Sequence, residues 1–309
     1  MVRKRQVLMD HDGGTPDDYM ATALLLTMPH IDPVGFVVTP ADCYIEPATR
    51  ATRKILALFG REHVPVAASE AKGHNPFPAA WRQNSYAFDD LIGGADMMEP
   101  ASAAVPSGVG LMEQLLGQAE APLTLLVTGP LSNVAALVDR RPDLAGRIEE
   151  MVWMGGSLDV PGNVSPEMEP SHDGSAEWNA YWDPSAVQTV WQTDIPIVLC
   201  PLDVCEKVPV TRGFIGSLRA QSQHRLSQVA AAGYEMNIER DKQCLWDVLA
   251  AAYLAKPELF TSDLIETAII TTGPSRGRIF RHPGGRPVRV LRDVKAEEVL
   301  HYVLEQWAR

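Results

Sequence analysis

The chain has 309 residues, 46% hydrophobic and 21% charged, and its 39 Asp and Glu against 27 Lys and Arg give a formal charge of −12. A chain this long buries roughly three quarters of its unfolded surface, which excludes disorder and a disulfide-stapled miniprotein. The acidic field argues against nucleic acid and anionic membranes as partners, and no apolar run approaches the roughly 18 residues of a membrane span.

The opening MVRKRQVLMD has the charge but not the apolar stretch of a signal peptide. Its Arg3-Lys4-Arg5 cluster reads as a solvated strand edge. Cys43, Cys200, Cys205 and Cys244 show neither zinc nor redox spacing; Cys43, Cys200 and Cys244 have apolar neighbours and are expected as buried reduced thiols, in a cytoplasmic protein. In chain order, strands are predicted at Gln6–Met9, Val34–Val38, Val64–Ala67, Leu123–Val127, Met151–Met154 and Ile195–Leu199. They alternate with predicted helices at Asp18–Met28, Glu46–Phe59, Gly108–Gln118, Ser132–Asp139 and Ser185–Trp191. Helices at Gly213–Arg219 and Trp246–Leu254 follow, then strands near Ala268–Thr271 and Val288–Leu291 and a last helix at Ala296–Trp307. Several strands are continuous apolar runs, as expected when helices cover both faces of a sheet. The pattern predicts one α/β domain over residues 1–309 with a central, mostly parallel sheet.

Ligands in such sheets bind beyond the carboxyl ends of the strands. Asp10, Asp12, Asp42, Thr128, Gly155 and Asp203 fall at or just beyond those ends. Asp10 and Asp12 share one face of an extended segment, and Asp17-Asp18 opens the next helix, where one carboxylate at most can serve as a cap. Four carboxylates in nine residues repel one another unless a cation sits among them, and hard oxygen ligands favour Ca²⁺ or Mg²⁺ over zinc. An EF-hand loop is excluded, because Gly14, Thr15 and Ala21 stand where that motif needs other residues. A haloacid-dehalogenase-like phosphatase, with Asp10 as nucleophile, is an alternative. Farther along, Trp81 in a proline-rigid loop offers a flat apolar face to a planar ligand. Glu177 and Asn179 could meet a polyhydroxylated ligand, Asp183-Pro184 reads as a helix start, and Asp247 suits a helix N-terminus. The long segments 71–107 and 156–183 are read as functional loops, and 221–244 as a lid.

The motifs VLMDHDGGTPDD, TPADCYIE, NPFPAAWR, VTGPLSNVAAL, VWMGGSLDVPGNV, SHDGSAEWNAYWDP, PLDV and LWDVLAAAY occur in this order. In combination they resemble the nucleoside hydrolases, and most nearly the purine-preferring inosine–adenosine–guanosine branch, from Val7 to about Tyr253. The resemblance implies cleavage of the N-glycosidic bond of purine ribonucleosides by a calcium-bound water that Asp12 activates. It implies Ca²⁺ on Asp12, Asp18, Asp247 and the main-chain carbonyl of Thr128, with Asp10 beside them as a further ligand. Asn163, Glu177 and Asn179 match residues that bind the ribose hydroxyls, with Asp17 and Met154 near them and Asp247 also facing substrate. Asp42, Trp81 and Trp246 match a purine pocket in which indoles stack the base. The family further implies a homo-oligomer, with a dimer favoured. Two departures stand out: two residues, Thr15 and Pro16, separate Gly14 from Asp17 where the family usually has one, and Gly14 replaces the branch's usual Asn. A nucleoside-binding protein that has lost catalysis is the second reading.

Overall fold

The computed structural model describes residues 4–14, 16–93, 106–239 and 242–309. Arg3 of the basic cluster, Thr15, residues 94–105 of the first long loop and residues 240–241 of the lid segment lie outside them.

Nine strands form one sheet: β1 Arg5–His11, β2 Ile31–Val38, β3 Val66–Ala68, β4 Leu123–Val127, β5 Ile148–Met154, β6 Ile197–Cys200, β7 Phe260–Ile269, β8 Ile279–Arg281 and β9 Arg286–Val294. Their order is β3-β2-β1-β4-β5-β6-β9-β7-β8. All pairings from β3 through β9 are parallel, and only β7 runs antiparallel to its neighbours β9 and β8. The two halves of the sheet wind outward in opposite directions from β1 and β4, so the crevice for a ligand is expected where those two strands end.

Strand β1 shows why its sequence is apolar throughout. Val7 and Met9 enter the core on one face of the sheet, while Leu8 enters the core on the other. The first face is covered by the helices Asp17–Thr27, Ile45–Leu58, Trp246–Ala255 and Ala296–Trp307, and the second by Gly108–Gln118, Ser132–Arg140 and Pro184–Trp191. The helix Trp246–Ala255 packs on Asp17–Thr27. Nearly every residue of both is buried, as expected of central helices that are apolar all round.

Every strand and helix predicted from the sequence has a counterpart, most with ends shifted by a few residues, but β7 starts at Phe260 where a strand was expected only near Ala268–Thr271, and β8 was not foreseen. Five short or amphipathic helices were not foreseen: Ala79–Arg82, Asn84–Ile92, Trp178–Trp182, Leu202–Cys205 and Arg225–Glu235. The last corrects the lid reading. Leu226, Val229, Ala230 and Tyr234 recur at helical spacing and are buried. The Ser227 hydroxyl also donates to the Trp307 carbonyl at 2.9 Å. Residues Arg225–Glu235 of segment 221–244 thus form a packed helix, not a loose cover. Asp183 caps the helix Pro184–Trp191 as predicted, accepting from the Ala186 amide at 3.0 Å. All four cysteines are free and buried, and no helix among the described residues is long and apolar enough to cross a membrane.

Behind the crevice, the Trp153 indole N–H donates to the Gly129 carbonyl at 3.0 Å, and its ring meets Trp191 edge-on at 5.6 Å. Gly129 is needed there, because a Cβ would lie 2.9 Å from the Cβ of Asp12. Trp153→Phe removes the donor and leaves a core carbonyl unpartnered. The expected loss is about 1–3 kcal/mol, read as a lower urea midpoint; an unchanged midpoint would show that the bond does not hold this turn.

Candidate active site

At the end of β1 the chain turns through Gly13, whose φ of 71° is in the left-handed region. A Cβ there would lie 2.7 Å from the Cβ of Cys43, so only glycine fits. The turn delivers Asp12 and then Asp17 and Asp18 to one cavity of about 270 Å³, small enough for a single compact ligand. Of the residues singled out from the sequence, Asp12, Asp17, Asp18, Asp42, Trp81, Thr128, Met154, Asn163, Glu177, Asn179, Trp246 and Asp247 all line it. The Thr15-Pro16 pair has not displaced the acidic residues from its wall.

Asp10 is the exception, and corrects the sequence-based ligand set. Its carboxylate accepts from Asn133 Nδ2 at 3.1 Å on both oxygens and from the Thr39 hydroxyl at 2.8 Å. Asn133 also takes the Ser69 hydroxyl at 2.6 Å. Asp10 therefore belongs to a buried polar plug joining the ends of β1, β2 and β3 to the helix after β4. Burial raises its pKa to about 7. A carboxyl so enclosed is a poor candidate for the nucleophile of a phosphatase.

Asp18 is the hub of the cavity. It accepts from the Gly14 amide at 2.6 Å and from the Thr128 hydroxyl, and hydrogen-bonds Asp12 and Asp247. Those contacts offset part of its burial, which still raises its pKa to about 6. Asp12 and Asp247 are pushed well above the usual carboxylate range, by burial first and then by Asp18. Asp12 Oδ2 is buried with no hydrogen-bond partner among the described residues, and so is Asp42 Oδ1. The three carboxyl groups converge around Asp18, and no group of three or more Asp, Glu, His or Cys among the described residues is spaced as an assembled metal centre.

Asp17 does not cap its own helix. One oxygen accepts from the Tyr234 hydroxyl at 2.7 Å, and the other from the amides of Asp247 and, at 3.3 Å, Val248. It therefore caps the helix Trp246–Ala255 and sets the position of Trp246 and Asp247. Burial raises it to about 7 despite these donors. Glu177 caps the helix Trp178–Trp182 in the same way, accepting from Asn179 at 2.9 Å, Ala180 at 3.2 Å and Gly156 at 2.8 Å, and it too is raised to about 7 by burial. Asn179 Nδ2 donates to the carbonyls of Thr128 at 3.0 Å and Met154 at 3.1 Å. Asn163 Oδ1 accepts from the Trp178 amide at 3.1 Å.

Sequence reasoning missed part of the aromatic wall. Phe77 and Trp178 line the cavity beside Trp81, with ring centroids of Trp178 at 5.1 Å from Phe77 and 5.3 Å from Trp81. Their signal was present in the two aromatic-rich motifs, where Trp81 alone was singled out. Asn84, Lys242 and Gln243 complete the mouth without having been foreseen. Two histidines have structural partners: His11 is buried against the Thr52 hydroxyl and lowered to about 3 by burial, and His172 lies between the carbonyls of Val164 and Arg276.

Residues 7–301 match the family described as inosine-uridine preferring nucleoside hydrolase, extending the resemblance past Tyr253 to nearly the whole chain. The chain is 31% identical over 283 residues to the pyrimidine-specific ribonucleoside hydrolase RihA of Shewanella woodyi, covering 87% of this chain and 85% of that protein. A crystal structure of an inosine-uridine preferring nucleoside hydrolase from Bacillus anthracis superposes with a TM-score of 0.92 at 36% identity, over 98% of this chain and 99% of that one. A purine-preferring ribonucleoside hydrolase from Gardnerella vaginalis shares the fold, with a TM-score of 0.79 at 22% identity over 98% of each chain. These curated relatives are named for pyrimidines, so the family is shown while the expected place in its purine-preferring branch is not. With its carboxylates and indoles gathered where β1 and β4 diverge, and with matches that span almost its full length, the chain belongs to the inosine-uridine preferring nucleoside hydrolase family.

Proposed function

We propose that the protein hydrolyses the N-glycosidic bond of ribonucleosides to free base and ribose, with purine nucleosides preferred. The observation that carries this reading is a single cavity that joins buried carboxylates to the indoles of Trp81, Trp178 and Trp246. Glycosidic cleavage develops positive charge on the ribosyl ring, and carboxylates fixed beside it lower that barrier. The attacking water needs a base, and Asp12 Oδ2, buried without a partner, is the oxygen free to take its proton. Asn179 has committed its amide hydrogens, which leaves Oδ1 to accept from a ribose hydroxyl, while Asn163 has committed Oδ1 and keeps its amide hydrogens. Asp42 Oδ1 suits a ring N–H of the base.

The donor set also fits a hard divalent cation of the calcium type. It consists of oxygens alone, and one of them lacks a hydrogen-bond partner among the described residues. Held by Asp12, Asp18, Asp247 and the Thr128 carbonyl, such an ion would supply the positive charge that keeps these carboxylates ionised and would make a neighbouring water more acidic.

Purine preference rests on the indoles of Trp81 and Trp246, both in the cavity wall, which suit a bicyclic base whose imidazole ring can accept a proton as it leaves. The second reading, pyrimidine preference, rests on the likeness to proteins named RihA.

Base release from inosine, guanosine and uridine, followed by ultraviolet absorbance, separates these readings. Faster purine release supports the first, faster uridine cleavage the second, and no release from any of them reduces the protein to a nucleoside binder. Asp12→Ala is expected to lower kcat by about 10²–10⁴-fold while nucleoside binding stays measurable by calorimetry; undiminished turnover would remove Asp12 from its role. The buried acids also predict a pH effect. Asp10, Asp17 and Glu177 at about 7 and Asp18 at about 6 hold protons that the unfolded chain, with ordinary values of 3.8 to 4.5, releases earlier. Their folded values are raised, so stability is full below the unfolded values and is lost as pH climbs through the folded ones. The Tm of chelator-treated protein should therefore fall between about pH 5 and pH 8, and Ca²⁺ should raise it more at the higher pH. An equal calcium effect at both values would argue against a cation among these acids.

A further inference from the structure

The turn between β7 and β8 lies outside the cavity, yet its Arg276 reaches both segments that build the aromatic wall. Arg276 Nε donates to Asn75 Oδ1 at 3.1 Å. Nη1 donates to the carbonyls of Ser171 at 3.2 Å and Gly273 at 3.1 Å. Nη2 donates to the Ser171 hydroxyl at 2.9 Å and the Tyr181 hydroxyl at 2.8 Å. These contacts use all five guanidinium donors, and none of the acceptors is a carboxylate. The guanidinium also lies 5.0 Å from the centroid of the Tyr181 ring.

The acceptors are distributed in a telling way. Asn75 is two residues before Phe77 and six before Trp81. Ser171 belongs to the loop that carries Asn163 and Met168 to the cavity, and Tyr181 shares a short helix with Trp178 and Asn179. The two segments are further joined by Asn75 Nδ2 donating to the Tyr181 carbonyl at 2.6 Å and by the His74 amide donating to the Trp182 carbonyl at 2.8 Å. The turn gains a second grip on the far loop, because the Asp173 amide donates to the Pro274 carbonyl at 3.0 Å and a ring nitrogen of His172 meets the Arg276 carbonyl at 3.0 Å. None of these partners belongs to the Asp12, Asp18 and Asp247 cluster.

We propose that Arg276 is a positioning residue for the base, fixing the Phe77–Trp81–Trp178 wall from outside while leaving the carboxylate cluster untouched. Lysine cannot replace it, since an ammonium offers three donors from one point where five acceptors are spread over a plane. The inference rests on the nucleoside reading for its kinetic readout, and on the fold alone for its second one.

The test compares wild type with Arg276→Ala and Arg276→Lys in full-length, calcium-loaded protein. Both variants should raise KM for the preferred nucleoside about tenfold, with kcat within about threefold of wild type. Amide hydrogen exchange should quicken across residues 73–82 and 163–178 and stay unchanged across 12–18 and 246–255. Unchanged KM, an equal loss in kcat, exchange that quickens everywhere, or full recovery in the lysine variant would overturn the proposal. If Arg276→Ala does not fold, Tyr181→Phe removes one acceptor with the ring kept; it should raise KM in the same direction, and no change would again overturn it. If wild type releases no base from any nucleoside, the functional reading fails, and the exchange pattern alone still decides the role of Arg276.

Discussion

Six carboxyl groups share one small cavity, and the rest of the site is an answer to that crowding. Asp12, Asp17, Asp18, Asp42, Glu177 and Asp247 all line it. Ionising all of them out of water would cost far more than any packing around them returns. The chain relieves the strain in three ways. Asp17 and Glu177 receive backbone amides at helix starts. Asp12, Asp18 and Asp247 hydrogen-bond one another around Asp18. Asp42 has the charge of Arg82 near it. What remains uncompensated is concentrated at Asp12 and Asp42, each with a buried oxygen that has no partner among the described residues. A site with surplus negative charge and free oxygens is prepared for positive charge, whether that charge arrives as an ion or develops on a sugar ring.

The same side chains are also building material. Asp17, at the start of one helix, caps another that is 230 residues away in sequence, and so joins the first strand–helix unit to the helix bearing Trp246 and Asp247. Glu177 ties the turn after β5 to the helix Trp178–Trp182. Asp203 accepts from the amides of Leu158 and Asp159, both at 2.8 Å, and steadies the start of the loop that carries Asn163. Each of these carboxyl groups accepts backbone amides that would otherwise lack a partner. Removing Asp17 or Glu177 therefore changes the shape of the cavity as well as its charge.

Much of this was legible in the sequence because parallel sheets write themselves plainly. Apolar runs such as LTLLV have one structural use, and residues that follow them fall at one edge. The order of motifs then brought nearly every foreseen residue to one cavity. Asp10 misled because alternation along β1 places it on the same face as Asp12 in an extended segment, whereas its actual partners, Thr39, Asn133 and Ser69, come from other strand ends that a single segment does not reveal. Asp17 misled in a related way, since a carboxylate at a helix start suggests a cap for that helix and nothing local indicates a partner 230 positions on. The helix Arg225–Glu235 was hidden by its polar flanks, although Leu226, Val229, Ala230 and Tyr234 carried the period. Arg276 gave no local signal at all, because four of its five acceptors are neutral groups on three residues more than 90 positions away, and the fifth is a nearby carbonyl.

The site therefore has two parts with different supports. The carboxylates stand on strand ends and on two central helices buried on nearly every side, where any displacement disturbs the core. The aromatic wall stands on loops and four- or five-residue helices, held to one another and to the outer turn by hydrogen bonds between neutral groups and one arginine. Repacking a wall of this kind shifts the free energy of base binding by about 1–3 kcal/mol per contact, with the electrostatics of the cleavage step left as they were. A fold organised this way can keep one reaction while its preference among bases drifts. That is consistent with relatives that share this architecture yet carry names for pyrimidines, for inosine and uridine, and for purines. Base preference is accordingly to be sought in the wall and its outer ties, and not in the cluster of Asp12, Asp18 and Asp247.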